Sequence, residues 1–90
     1  MATVTCHLPG VLEPAVGAVR DVPVSGATVQ EALADLCTQF PALRVRLFDE
    51  AGRLRRHVVC VHNGRATRLR EPEPLADGDE LSILPSVSGG

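Results

Sequence analysis

Thr28-Val-Gln-Glu-Ala-Leu-Ala-Asp-Leu-Cys-Thr-Gln-Phe-Pro41 is the stretch on which the fold turns. Thr28 is a natural N-cap, and Glu31, three residues on, completes a capping box. Val29, Ala32, Leu33, Leu36, Cys37 and Phe40 then recur at helical period and make one continuous apolar stripe. Pro41 ends the helix, because the residue before a proline avoids helical geometry. A helix with a single apolar stripe must lay it on a partner, and the flanking segments supply a sheet.

On the N-terminal side, residues 2–8 alternate: Val4, Cys6 and Leu8 point one way and Thr3, Thr5 and His7 the other, the pattern of a half-buried strand. Pro9-Gly10 breaks it, and residues 11–17 read as a loop. A second strand is expected over residues 18–24, with Val22 and Val24 on one face. Pro23 cannot donate a ladder hydrogen bond, so that strand belongs at a sheet edge. Ser25-Gly26 closes it.

On the C-terminal side, Leu43 and Leu47 fit one helical turn within residues 43–49, although Leu43, Val45 and Leu47 also alternate; we read a short helical turn. Residues 50–53 form a turn. Residues 55–62 read as a third strand. Both of its faces are apolar, so alternation leaves its outward side open. Asn63-Gly64 is a strong two-residue hairpin signal, since both positions tolerate positive φ. A short strand over residues 66–69 pairs back. Glu71-Pro-Glu-Pro74 is an extended, solvated connection, Asp77-Gly78-Asp79 a turn, and residues 80–84 the last strand. One main helix on a mixed sheet of four to five strands, an α+β arrangement, is the β-grasp (ubiquitin-like) fold. Residues 1–85 are expected to form it, leaving 86–90 as a flexible C-terminal tail.

Composition narrows the function. Ninety residues make one domain. With two Phe, no Tyr and no Trp, the core is aliphatic. The net charge is −2, from nine Arg and no Lys against eleven acids, which excludes a nucleic-acid binder built on clustered cations and stacking aromatics. Arg53, Arg55 and Arg56, with Arg65, Arg68 and Arg70, read mainly as a solvated face produced by alternation along neighbouring strands. A docking patch for an acidic partner surface is the other reading. No apolar run approaches a membrane span and no signal segment opens the chain, so a cytoplasmic location is expected.

Chemistry-bearing side chains are few. Cys6, Cys37 and Cys60 are odd in number and widely spaced, with Cys6 and Cys37 on faces expected to be buried, so core packing with reduced thiols is the reading. Four closely spaced cysteines would be needed for a plant-type iron–sulfur centre. His7, His57 and His62 lie on or beside strands without zinc spacing; His62 is a partner contact only if it sits on the open sheet face. Asp77 and Asp79 begin like a calcium loop but lack its later ligands. No nucleophile–base pair is present, no metal site is expected, and the chain is not read as an enzyme.

The sequence stops at Ser88-Gly89-Gly90, straight after the last strand. At a glycine usage of about 7%, a terminal Gly-Gly arises by chance in roughly one chain in two hundred. Joined to Leu75-Ala-Asp-Gly-Asp-Glu-Leu-Ser-Ile-Leu-Pro85 and Ser86-Val-Ser-Gly-Gly90, it resembles the ending of the ThiS/MoaD-like sulfur-carrier family, and within it the CysO-type carriers of cysteine biosynthesis. Ser86 and Ser88 depart mildly from the small residues, such as Ala, expected there.

This resemblance implies that an E1-like enzyme adenylates the Gly90 carboxylate with ATP and that sulfur then displaces AMP to give a thiocarboxylate. Gly89, Ser88, Val87, Ser86 and Pro85 thread into partner active sites. The acceptor would be a pyridoxal-phosphate cysteine synthase, with a metalloprotease releasing product; molybdopterin, thiamine or secondary-metabolite sulfur insertion are the other destinations. Glycine suits narrow channels because it has no side chain to clash. Two rival readings share the fold: a ubiquitin-like modifier conjugated through Gly90, and a non-covalent β-grasp interaction domain. Without Lys the chain cannot build polymers through its own side chains.

Overall fold

The computed structural model describes residues 1–85, and the helix sits where its stripe requires. Helix α2, Val29–Gln39, follows α1, a single turn over Glu13–Val16, and precedes α3, Arg44–Leu47. Thr28 adopts extended backbone, and its Oγ1 accepts the N–H of Glu31 at 3.1 Å. The Glu31 carboxylate accepts the N–H of Ala27 at 2.8 Å, so the box closes one residue before the cap. At the far end, Phe40 leaves helical geometry ahead of Pro41, with its N–H still bound to the Leu36 carbonyl. Val29, Ala32, Leu33, Leu36 and Cys37 are buried, and Phe40 packs partly exposed at the core margin.

Five strands receive that stripe: β1 (Ala2–His7), β2 (Asp21–Gly26), β3 (Val58–His62), β4 (Arg65–Thr67) and β5 (Glu80–Pro85), in the order β2-β1-β5-β3-β4. β1 and β5 run parallel and the other neighbours antiparallel. This is the mixed sheet of a β-grasp. Val4, Cys6, Val22, Val24, Val58, Cys60, Leu81 and Ile83 face α2 and are buried. Burying each large aliphatic side chain contributes about 1.5–3 kcal/mol, which lets a core without Tyr or Trp hold the domain. Pro23 lies on edge strand β2, opposite Thr5.

Several boundaries differ from the sequence reading. Residues 11–17 are not an open loop: a 3-10 turn over Gly10–Leu12 runs into α1, because Leu12 and Val16, one helical turn apart, both reach the core. The second strand begins at Asp21, where pairing with His7 starts, and extends to Gly26. The third begins at Val58, since Leu54 bridges back to Phe48 and a turn at Arg56 and His57 places the Val58 N–H on the Arg55 carbonyl. The fourth stops at Thr67, ahead of Leu69, whose φ of 56° departs from the strand. The helical reading near residue 45 holds, as Pro41–Leu43 and α3 form consecutive turns with Leu43 and Leu47 buried. Asn63 and Gly64 take φ of 51° and 82°, the paired positive angles of a tight hairpin.

Candidate functional site

The last strand, β5, ends at one edge of the molecule. β5 is the central strand, laddered on both sides, with Leu81 and Ile83 buried beneath it. Pro85, exposed, ends the strand opposite Val58. Ser86, Val87, Ser88, Gly89 and Gly90 lie outside the described residues.

Around Pro85 the surface is apolar. A groove of about 330 Å³ borders it, and Val11, Val45 and Leu84 on its walls are 61%, 67% and 46% exposed. His57 stands at the same rim. The apolar surface continues onto the open sheet face. There β3 turns Val59 and Val61 outward, opposite Leu84 and Ser82 of β5 and with Ala66 beside Val61. The other half of that face carries Thr3, Thr5, His7, Asp21 and Ser25 and is polar. Contiguous apolar patches of this kind mark contact surfaces. Sequence reading missed Val11 and Val45. Val45 was within reach, since in the helical reading it points away from Leu43 and Leu47.

The histidines are held in carboxylate clusters. His62 lies on the helix side of the sheet, in register with Leu81 and Arg65, so the condition for an open-face contact is not met. Its Nδ1 is 2.6 Å from Glu73 and its Nε2 2.9 Å from Asp79. Burial acts to lower its pKa, but the hydrogen bonds to Asp79 and Glu73 outweigh burial and raise it above the ordinary histidine value. The N–H of Ala76, joined by His62, holds Asp79 down at about 2. Glu73 is therefore not part of a solvated connection. It also accepts the Thr67 hydroxyl at 2.7 Å, and its own backbone N–H and carbonyl bond Gln30 and Val29 at the start of α2. Burial would raise its pKa; Thr67 and His62 lower it instead. On the open face, His7 bonds Asp21 at 2.7 Å and Glu80 at 3.1 Å, and both raise its pKa.

All three thiols are buried and unpaired. Burial pushes Cys6 and Cys60 up to about 12, so neither is a thiolate nucleophile near neutral pH. Among the described residues, no three metal-ligating side chains converge as a metal site, and no helix is long and apolar enough to cross a membrane.

The arginines are not spread by strand alternation. Arg53, Arg55 and Arg56 lie in the irregular segment before β3 and join Arg44, Arg68 and Arg70 around one broad cleft, while Arg65 stands apart on β4.

Comparison with known proteins agrees with this architecture. The ThiS family model matches residues 6–90. Small archaeal modifier protein 1 of Haloferax volcanii is 46% identical over 70 residues, covering 77% of this chain and 78% of that protein. Its crystal structure superposes with a TM-score of 0.85 at 38% identity, covering 99% of this chain and 100% of that one. Sulfur carrier protein CysO of Mycobacterium tuberculosis is 34% identical over 91 residues, covering 97% of this chain and 98% of CysO. The CysO/BexX complex of Amycolatopsis orientalis contains a chain that matches with a TM-score of 0.84 at 32% identity, covering 97% of this chain and 99% of that one. These relatives are carriers and modifiers rather than catalysts. The chain accordingly is not an enzyme, and it belongs to the ThiS family of ubiquitin-like sulfur carriers.

Proposed function

We propose that the chain carries sulfur as a thiocarboxylate on Gly90, for cysteine biosynthesis. The observation that carries this reading is the relation to CysO over nearly the whole chain, with the family match running through Gly89-Gly90. In the proposed cycle an E1-like enzyme, using ATP, joins the Gly90 carboxyl to AMP and releases pyrophosphate. Sulfide sulfur then attacks the acyl carbon and AMP leaves, so the carrier splits one difficult transfer into two easier ones. The product is a sulfide donor for a pyridoxal-phosphate enzyme of the cysteine synthase class, with a metalloprotease releasing the amino acid. Buried, reduced thiols suit a cytoplasmic setting for this work. Covalent geometry limits the reach of five residues beyond Pro85 to about 18 Å, enough to enter a partner's active site while Pro85 stays on the sheet. Pro85, Ser86, Val87, Ser88 and Gly89 are the residues we assign to that passage. No side chain of the carrier is asked to do the chemistry.

A second reading has its own support. The 46% identity to a small archaeal modifier protein favours conjugation through Gly90 to a target amine. The same adenylated intermediate serves both fates. Intact-mass measurement after incubation with an E1-like enzyme, ATP and a sulfur donor separates them. A gain equal to one oxygen-to-sulfur exchange, abolished by deleting Gly90, is the expected result. Amide-linked adducts without that gain would favour the modifier, and no change with several competent activating enzymes would overturn both.

A further inference from the structure

Six of the nine arginines, Arg44, Arg53, Arg55, Arg56, Arg68 and Arg70, wall one cleft of about 1030 Å³ in a chain whose net charge is −2. Among the described residues none of the six forms an ion pair; the one arginine that does is Arg20, with Glu13. Among the described residues, Arg55 alone of the six spends its guanidinium on a protein hydrogen bond, so the positive charge gathered on this acidic molecule is largely without an internal partner. Two carboxylates, Asp49 and Glu50, stand at the cleft against the six arginines. Asp49 spends Oδ1 on the N–H groups of Ala51 and Arg53, closing its own turn, and Glu50 is exposed.

The frame of the cleft is built rather than loose. Gln30 on α2 donates to the Glu71 carbonyl at 2.6 Å and accepts the Glu73 N–H at 3.1 Å, tying the Arg68–Arg70 segment to the helix. Leu69 stands between those arginines at φ 56°, a left-handed conformation a leucine rarely takes, with its N–H on Thr67 Oγ1. Phe48 and Leu69 supply half-buried apolar wall beside the guanidinium groups. Arg55, whose Nε is fixed on the Val45 carbonyl at 2.6 Å, and Val45 itself line both this cleft and the apolar groove at Pro85. The two surfaces are continuous.

We propose that this cleft is the docking site for a carboxylate-rich, partly apolar peptide segment of the enzyme that grips the tail. The assignment rests on the carrier reading above. A lone phosphate would leave most of the volume empty. An acidic segment matches the spread of arginines, each able to take a carboxylate in a two-point contact, and places its apolar side chains on Phe48 and Leu69.

The test titrates the isotope-labelled full chain with poly-L-glutamate and follows the arginine Nε–Hε resonances. Those of the cleft arginines should shift while Arg20 and Arg65 stay, and affinity should fall about tenfold or more as salt rises from low to above physiological. R56E/R68E, both exposed positions, should weaken binding at least about tenfold with the backbone spectrum otherwise preserved, and R65E by less than about twofold. Uniform shifts over all arginines, none at the cleft, or tighter binding of inorganic triphosphate would overturn the proposal. In the thiocarboxylation assay, R56E/R68E should raise KM for the carrier with kcat unchanged; an unchanged KM would also overturn it. A wild-type chain that never gains sulfur sinks the carrier reading instead, and the peptide titration then decides the cleft by itself.

Discussion

Substituting Gly26 by alanine should loosen the joint between β2 and the start of α2. A Cβ built at Gly26 would sit 2.6 Å from the Ala32 backbone N, 2.7 Å from Glu31 Cβ and 2.9 Å from the Glu31 carbonyl carbon. Two of these neighbours are helix backbone, so no rotamer change relieves them and the helix must move. Overpacking of this kind costs about 1–3 kcal/mol. Alanine recovers about 0.4–1 kcal/mol by restricting the unfolded chain. At mid-range the net loss is about 1.3 kcal/mol, which at about 4–8 °C per kcal/mol for a domain this small corresponds to a fall in Tm of about 5–10 °C. The chain has no Trp or Tyr, so far-ultraviolet circular dichroism is the suitable probe of unfolding. Two further Gly→Ala changes serve as controls. At Gly10 the nearest atom is the far end of the Arg20 side chain at 3.5 Å, an ordinary van der Waals distance, and the effect should stay within about 0.5 kcal/mol. At Gly52 nothing is near, but φ is 80°, so the cost is about 1–2 kcal/mol of backbone strain alone. Because α2 carries Gln30, the Gly26 variant should also disturb the Arg68 and Arg70 resonances. A Gly26 variant as stable as wild type, or no worse than the Gly10 variant, would refute the reasoning.

Stability should peak in mildly acidic solution. His7 and His62 have raised pKa values, so their contribution is complete below the ordinary histidine value of 6.5 and is lost as pH rises through the folded values. Glu73 and Asp79 are lowered, so theirs is present above the ordinary carboxylate values of 4.5 and 3.8 and is lost as pH falls, Asp79 only near 2. Urea midpoints measured across pH should therefore be highest between about 4.5 and 6.5; His62→Gln should flatten the alkaline limb, and an unaltered limb would exclude the cluster as its cause. Cys6, Cys37 and Cys60 should resist a disulfide reagent until the chain unfolds, so labelling that runs at the rate of a free thiol in native conditions would contradict their burial. Leu84→Asp, at an exposed position opposite Val59, should cost about 1 kcal/mol or less in stability yet raise KM for tail-directed enzymes about tenfold or more, and equal KM values would remove the open-face patch from recognition.

What was legible in the sequence was local. Thr28, Glu31 and Pro41 set the helix through contacts within four residues, Asn63-Gly64 sets its hairpin through its own dihedral preferences, and Pro23 assigns its strand to an edge because it lacks a donor. Where a boundary depended on a distant partner, local pattern misplaced it. The second strand starts at Asp21 because His7 is there to pair with it, and the turn at Leu12–Val16 exists because the core has room for two side chains one helical turn apart. Glu73 shows the limit most plainly. Between two prolines it looks like open chain, and its partners His62, Thr67 and Gln30 come from two strands and the helix. The arginine cleft likewise draws on three separate segments, and no spacing rule connects Arg44 with Arg70.

The same distinction separates the two tasks of the proposed carrier. Covalent transfer asks only for a carboxyl that can leave the folded body, and a run of residues at the end of the sequence can announce that. Recognition depends on what the topology gathers beside it. Because β1 and β5 are parallel, the segment after β1, with Val11, emerges at the same end of the sheet as Pro85. Because β3 is antiparallel to β5, its start, with His57 and Val58, arrives there too. The turn of α3 fills the remaining side and sets Val45 and the bond to Arg55 at the junction of groove and cleft. Had the last strand been an edge strand, it would lack one of these neighbours and one ladder holding Pro85 in place. In the proposed carrier, a partner that admits the residues beyond Pro85 should meet Val11, Val45, His57 and Leu84 together, and selectivity among tail-directed enzymes should reside in those four positions and the adjoining arginines rather than in the diglycine.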